Sequence, residues 1–394
     1  MSSSIKSPTE SLSVAGLFAG IGGIELGLSR AGHRSTLLCE IDPGAHRVLA
    51  TRFADVPLCR DVRELETVGR IDLLAGGFPC QDLSQAGRTA GITGSSSGLV
   101  GQVFRLLDAT KRRPPRWLLL ENVPFMLQLQ RGLAMRYLVD SLEARGYTWA
   151  YRVVDARAFG IPQRRKRVIL LASKTEDPRS VLFGEDQDER VVPFARNLLC
   201  GFYWTEGLRG LGWAVDAVPT LKGGSTIGIP SPPAIWDPRD GSMTTPQITD
   251  AERLQGFDSG WTAPAVEADG VRESHRWKLV GNAVNVRVAE WIGHRLVESA
   301  SVRCEQSDLR RGVAWPCAAW GARGKVYSVK VSQWPVRAPI AHLHEFLRAT
   351  RIPLSRRAAA GFLSRAMVSS LRFEQGFLAD IGRHIKRLEG QTAA

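Results

Sequence analysis

Cysteine is scarce and scattered in this sequence. Its six residues, Cys39, Cys59, Cys80, Cys200, Cys304 and Cys317, form no CxxC pair and no dense framework. That spacing excludes a disulfide scaffold and a structural zinc site, and it fits a reduced, intracellular setting. Long apolar runs are missing too: no uninterrupted stretch approaches about 20 residues, the length a membrane helix needs. The start, MSSSIKSPTESLS, has no apolar signal core, so neither a secretory leader nor a membrane anchor is expected, and the protein is read as cytoplasmic. There is no internal repeat. With 394 residues, 44% of them hydrophobic and 23% charged, the composition is that of a globular chain and excludes disorder throughout.

Charge balance is also lacking. The net charge of +13 points to a polyanionic partner. Residues 303–394 contribute most of it, with 16 Lys and Arg against 6 Asp and Glu.

After a polar start at 1–12, expected to be disordered, short apolar runs alternate with helix-like stretches. VAGLF, STLLCEID, IDLLAGGFP, WLLLENV and RVILLAS read as strands, with helical text between them. This predicts an α/β fold, a doubly wound and mostly parallel sheet, over 13–173. Residues 174–247 are rich in glycine, proline and tryptophan and read as a small irregular domain. Helical periodicity returns in 248–302, where Val286, Ala289, Ile292, Gly293 and Leu296 share a face. Residues 303–394 form a basic extension with a strand-like KVYSVKVSQW and a helical end.

Chemistry concentrates where the strands end. VAGLFAGIGGIELGL runs from strand through a glycine turn into a helix, which lets a cofactor approach bare backbone. The dinucleotide pattern G-x-G-x-x-G fails, because Glu25 stands three residues after Gly22. Glu40 at the end of the next strand is placed to accept ribose hydroxyls. A glycine turn with a ribose acid and no phosphate glycines fits a nucleoside cofactor such as S-adenosylmethionine better than a dinucleotide. Asp61 suits either an adenine amino group or a helix N-cap. IDLLAGGFPC carries Cys80 out beyond a buried strand into a polar loop, an unusual place for a free thiol and a suitable one for a nucleophile. WLLLENV presents Glu121 in the same manner, as an acid, a clamp for a base edge, or a helix-capping carboxylate. In QRRKRVILLAS, Arg165 and Arg167 share one strand face by the period of two, either at the site or on a solvated basic edge.

The ordered series LFAGIGG, GGFPCQDLSQAGR, ENV, VVDARAFGIPQRRKRVILLAS, ERLQGF and GNAV resembles the DNA cytosine-5 methyltransferase family of prokaryotic restriction-modification systems. It covers about 14–173 and 245–298. The resemblance implies a Rossmann-like, S-adenosyl-L-methionine-dependent enzyme acting on double-stranded DNA, with no metal. It implies that Cys80 attacks C6 of a flipped-out cytosine, that Glu121 contacts N3 and the exocyclic amine, and that Arg165 lies near O2 with Arg167 in support. It assigns Phe18, Ala19, Gly20, Ile21, Gly22, Gly23, Glu40, Asp61, Pro79 and Asn282 to the cofactor. Gln81, Ser84 and Arg88, in a small-residue loop similar to one that closes over the flipped base, are assigned to DNA.

Residues 174–247 stand where that family has its target-recognition domain. Lys222, Gly223, Gly224, Ser225 and Thr226 are suited to phosphates or base edges, or make an ordinary loop. The tail, with Trp315, Trp320 and Trp334 among its basic residues, reads either as extra DNA affinity or as a helical appendage covering the core or joining two copies. A monomer with a cognate endonuclease is expected by analogy. A transfer-RNA cytosine methyltransferase would share the apparatus, but its Cys-Phe-Thr signature is missing. A binding-only regulator would show an eroded Cys, Glu or Arg. An exocyclic-amine methyltransferase would carry Asn/Asp-Pro-Pro-aromatic where FPCQ stands.

Overall fold

The computed structural model describes residues 11–78, 98–223, 231–298, 300–302 and 304–392. Pro79, Cys80, Gln81, Ser84, Arg88, Gly224, Ser225 and Thr226 lie outside the described residues. The hydroxyl of Ser11 donates to the Gly32 carbonyl at 2.8 Å and Leu12 is buried, so the disorder expected for 1–12 does not extend to these two residues, while 1–10 lie outside the described residues.

Along the chain the first strands are β1 (Ser13–Leu17), β2 (Arg34–Cys39), β3 (Leu58–Cys59), β4 (Leu73–Gly76), β5 (Trp117–Asn122), β6 (Thr148–Asp155), β7 (Gln163–Arg164) and β8 (Lys166–Ser173). There follow β9 (Cys200–Phe202), β10 (Ala214–Val215), β11 (Val218–Pro219), β12 (Ala234–Asp237), β13 (Ser242–Thr245), β14 (Gln306–Asp308), β15 (Ala318–Ala322), β16 (Lys325–Val329) and β17 (Ile352–Pro353).

The chain divides into two compact units. The first holds the residues up to Ala158 with Lys166–Glu189 and Val284–Arg337. Its ten-stranded sheet has the order β14-β16-β15-β6-β8-β5-β4-β1-β2-β3. The pairs from β3 through β5 are parallel, while β8, β6, β15, β16 and β14 pair antiparallel. β4 and β5 are buried at every residue, which is why they read as unbroken apolar text. Helix Leu99–Ala109 contributes Val103, Phe104 and Leu107 to the same core. The chain runs outward from β1 to β3 and then restarts at β4 on the other side of β1. The carboxyl ends of β1 and β4 therefore form a topological switch point, where open α/β sheets bind ligands.

The second unit holds Phe159–Arg165, Arg190–Ala283 and Ala338–Ala394. Its five-stranded antiparallel sheet has the order β10-β9-β12-β13-β17, with β7 and β11 paired separately. Helices Arg356–Met367 and Phe377–Thr392 cover that sheet through a core of Phe202, Trp236, Phe362 and Phe377.

These units cut across the divisions drawn from composition at 174, 248 and 303. Residues 174–189 stay with the first unit, and 248–283 go with the second. The basic extension is two things. Its first part adds β14, β15 and β16 to the large sheet through pairing of β15 with β6. Its second part supplies β17 and two helices to the smaller unit, because aromatic side chains on β9 and β12 need an apolar cover. The three tail tryptophans are packing groups. Trp334 is 1% exposed, Trp315 sits edge-on to Trp149 and Tyr151, and Trp320 stacks on Tyr327 beneath Arg179. Among the described residues no helix is long and apolar enough to cross a membrane.

Candidate active site

β1 ends at Leu17, and the next residues turn sharply. Phe18 lies at φ 53°, Gly20 at 56° and Gly22 at 84°. A left-handed phenylalanine is costly and is retained where the surroundings over-determine it. Three bonds do so here: Ala19 N–H donates to the Cys39 carbonyl at 3.1 Å, Gly22 N–H to the Ala19 carbonyl at 2.9 Å, and Gly20 N–H to Glu40 Oε2 at 2.7 Å. Ile21 is fully buried, and Gly23 opens helix Gly23–Arg30. A side chain on Gly22 would strike the Phe53 ring at 2.5 Å, whereas a Cβ on Gly20 would meet nothing within 4 Å. The turn therefore exposes bare backbone to open space at the strand end.

Glu40 follows β2. Its second oxygen accepts from Asp42 N–H at 2.8 Å, so two backbone donors aim the carboxylate. Burial pushes its pKa up, and those hydrogen bonds pull against the shift. Asp61 follows β3 and is not a helix cap: its carboxylate is wrapped by Arg63 through N–H and guanidinium contacts of 2.5 to 3.0 Å. An oriented acid beside an open glycine turn fits a nucleoside cofactor with ribose hydroxyls to donate. Among the described residues no group of His, Cys, Asp and Glu is placed to hold a metal ion.

β4 leads to Gly77 and Phe78, the last described residues before Pro79 and Cys80. Two side chains of β5 reach this exit. Asn122 donates from Nδ2 to the Phe78 carbonyl at 3.0 Å. Glu121, 8% exposed, lies beside Gly77, where a Cβ would stand 3.3 Å from Oε2. On β8, Arg167 pairs through Nε with Glu121 Oε1 at 2.9 Å. This end of the sheet thus gathers Glu121, Arg167 and the backbone exit of β4 at Gly77 and Phe78.

Arg165 is placed differently. It falls between β7 and β8, so the single strand face expected for Arg165 and Arg167 does not exist. Within the second unit, its buried guanidinium donates to the carbonyls of Leu221 at 3.2 Å, Gly281 at 3.2 Å and Ala283 at 2.7 Å. Asn282 ends helix His275–Asn282 and lies against Gly223, where a Cβ would be 2.5 Å from Oδ1. Lys222 is bonded to Glu206 and sits 3.7 Å from the centre of the Tyr203 ring. Sequence reasoning missed Asn122, although it stands in the ENV text, and it missed Glu25 as anything more than a break in a glycine pattern.

An oriented carboxylate at a glycine turn, beside a switch point lined by Glu and Arg, defines a Rossmann-like α/β fold suited to a nucleoside cofactor. Residues 12–194 match the family described as C-5 cytosine-specific DNA methylase. The chain is 48% identical over 382 residues to Type II methyltransferase M2.BsuMI of Bacillus subtilis (strain 168), across 94% of this chain and 98% of that protein. Type II methyltransferase M.MspI of Moraxella sp is 37% identical over 159 residues, 40% of this chain and 37% of that protein. The S. pombe Dnmt2 methyltransferase structure aligns with a TM-score of 0.54 at 17% identity, over 73% of this chain and 98% of that one, a likeness of fold. The chain belongs to the C-5 cytosine-specific DNA methylase family. It is a DNA cytosine-5 methyltransferase of a Type II restriction-modification system, and its cofactor is S-adenosyl-L-methionine.

Proposed function

We propose that Cys80 is the nucleophile and that the base is turned out of the duplex to meet it. The Cys80 thiolate adds to C6 of the cytosine, and C5 becomes electron-rich. The cofactor supplies an electrophilic methyl group, which C5 takes. A base then removes the C5 proton, the electron pair restores the double bond, and the Cys80 sulfur departs. Glu121 holds N3 and the exocyclic amine while charge builds on the ring.

The arginine beside O2 is Arg167. What supports this change from the sequence expectation is the 2.9 Å pairing of Arg167 with Glu121, set against the commitment of Arg165 to three carbonyls of the second unit. Arg165 acts there as a positioning residue. Phe18, Gly20 and Glu40 form the cofactor seat, with Asp61 and Pro79 toward the adenine. The second unit reads the target sequence, with Lys222 and Gly223 at the edge of its DNA-facing loop. The enzyme works as a cytoplasmic monomer on chromosomal DNA, beside an endonuclease of the same specificity.

The observation that carries the proposal is the convergence of Glu121, Arg167 and the Asn122-held exit of β4 at one switch point. Bisulfite sequencing of DNA from a methylation-free host, with a Cys80→Ser control, tests it. Protected cytosines in one short motif, lost in the control, are expected. Equal protection in the control would reject Cys80 as nucleophile.

A further inference from the structure

Glu25 has no part in the mechanism above, and its surroundings are unusual for an acid. It stands in the first turn of helix Gly23–Arg30, is 1% exposed, and apart from its own backbone N–H has no hydrogen-bond partner on either carboxyl oxygen among the described residues. The group fills the hollow left by a missing side chain. A Cβ on Gly16 of β1 would come within 2.1 Å of Glu25 Oε1 and 3.2 Å of Leu38 Cδ2 on β2. Burying a polar group with its oxygens unpartnered costs about 1–3 kcal/mol even when it is neutral, so packing alone does not account for it. A buried acid without a partner, at a ligand site, is a functional signal.

Its position supplies the ligand. Gly16 is the next-to-last residue of β1, so the carboxyl lies directly behind the turn that begins at Phe18. Glu40 is near enough for its charge to bear on Glu25. When both are ionised Glu25 and Glu40 repel each other, and a cationic occupant of the seat relieves both. S-adenosylmethionine carries two positive centres, an ammonium and a sulfonium.

Among the described residues, Glu40 is the one charged group seen to bear on Glu25 from the elements packed around it. β1 presents glycine, and β2 presents Leu38 and then the Cys39 thiol, which burial keeps protonated. Helix Val286–Val297 meets this helix at Gly27 through Val286, Ala289 and the Glu290 backbone. Its Arg287 and His294 are exposed, and Arg295 donates to the Ser180 carbonyl. On the same helix, Arg30 is exposed.

We infer that Glu25 is the charge-matching residue of the cofactor seat: a neutral acid in the free protein, it gives its proton to solvent when the cofactor's cationic end is bound, and the carboxylate so formed balances that charge. The inference rests on the reading of the 18–23 turn and Glu40 as the seat. Burial pushes the Glu25 pKa up to about 7, against the opposing pull of its own backbone N–H. At pH 6 the free protein therefore holds most of a proton there.

Calorimetric titration of the full-length protein with S-adenosylmethionine at pH 6, in two buffers of different ionisation enthalpy, counts the protons released. Release of a large fraction of a proton per cofactor is expected from the wild type. Glu25→Gln, which keeps the side chain's size, should bind more weakly and release none, while Glu40→Gln should bind more weakly and still release. Wild-type binding without release would overturn the inference, and this count needs no variant to fold. Release that survives Glu25→Gln and vanishes with Glu40→Gln would overturn it as well, by assigning the proton to Glu40. A mistaken seat shows itself differently: Glu40→Gln and Gly20→Val would both bind as tightly as the wild type, which removes the inference along with its premise.

Discussion

Replacing Phe377 with alanine should cripple target reading while sparing the cofactor. Phe377 is fully buried at the start of the last helix. Its ring centre lies 5.0 Å from Phe202, 5.2 Å from Trp213 and 5.2 Å from Trp236, each in edge-to-face geometry. Phe362 adds a fourth ring at 5.9 Å. Removing a buried phenylalanine costs about 3–5 kcal/mol through lost transfer energy and the remaining cavity. Edge-to-face pairs add about 0.5–1.5 kcal/mol each beyond buried area, so the upper half of that range applies. A loss of about 4 kcal/mol is a large share of the roughly 5–15 kcal/mol that keeps a domain folded. Urea unfolding followed by tryptophan fluorescence should show the smaller unit melting early. DNA methylation should fail at temperatures the wild type tolerates, and S-adenosylmethionine binding, measured by calorimetry, should hold. A destabilisation under about 1 kcal/mol would refute the claim that this helix is core to the unit. Parallel loss of cofactor binding would refute the division of labour.

Other outcomes follow from the same geometry. Glu25 has its folded pKa raised from 4.5 to about 7, so the native state binds the proton more tightly and stability falls as pH rises between those values. The Glu25→Gln protein should lack this slope, making its stability difference between pH 5 and pH 8 smaller by a few kcal/mol (order of magnitude); an unchanged slope in urea titrations would contradict the assignment. Arg167→Ala should lower kcat by about 100-fold or more with the fold intact. Arg165→Ala should instead destabilise the smaller unit by about 3 kcal/mol, by loss of buried charged hydrogen bonds; exchanged phenotypes would reverse the roles given to the two arginines. Asn122→Ala should reduce kcat about tenfold through a looser β4 exit, with cofactor affinity unchanged in calorimetry. DNA carrying 5-fluorocytosine in the target motif should become covalently trapped on the wild type in the presence of methyl donor, and its absence from denaturing gels would remove Cys80 from the mechanism.

The parallel half of the sheet could be read directly, because its fully buried strands β4 and β5 leave apolar text and acidic residues stand where its strands end. Glu40, Asp61 and Glu121 follow that rule. Arg165 and Arg167 did not yield to it: strand periodicity was applied across a break at Arg165, and only the partners Leu221, Gly281 and Ala283, all far along the chain, reveal the break. The tail was opaque for a similar reason. Its basic composition describes the solvent side, whereas Phe362 and Phe377 find their core partners on strands more than a hundred residues earlier. Glu25 in GIELGL reads from the sequence only as the residue that breaks a glycine pattern. Its burial comes from β1 and β2 behind it, and the helix that bears it is closed off at Gly27 by Val286–Val297, which arrives late in the sequence.

Trading specificities between relatives is constrained by the pairing of β13 with β17. Thr244 and Thr245 meet Pro353 and Ile352 across that ladder, and Trp236 on the neighbouring strand donates to Asp380 at 2.9 Å. A recombination event that imports a foreign central segment and keeps the native carboxyl end would mismatch a sheet edge and a buried hydrogen bond together. New sequence preferences in this lineage should therefore arise by paired exchange of both stretches, or by point changes in loops, and single-cassette grafts should come out insoluble.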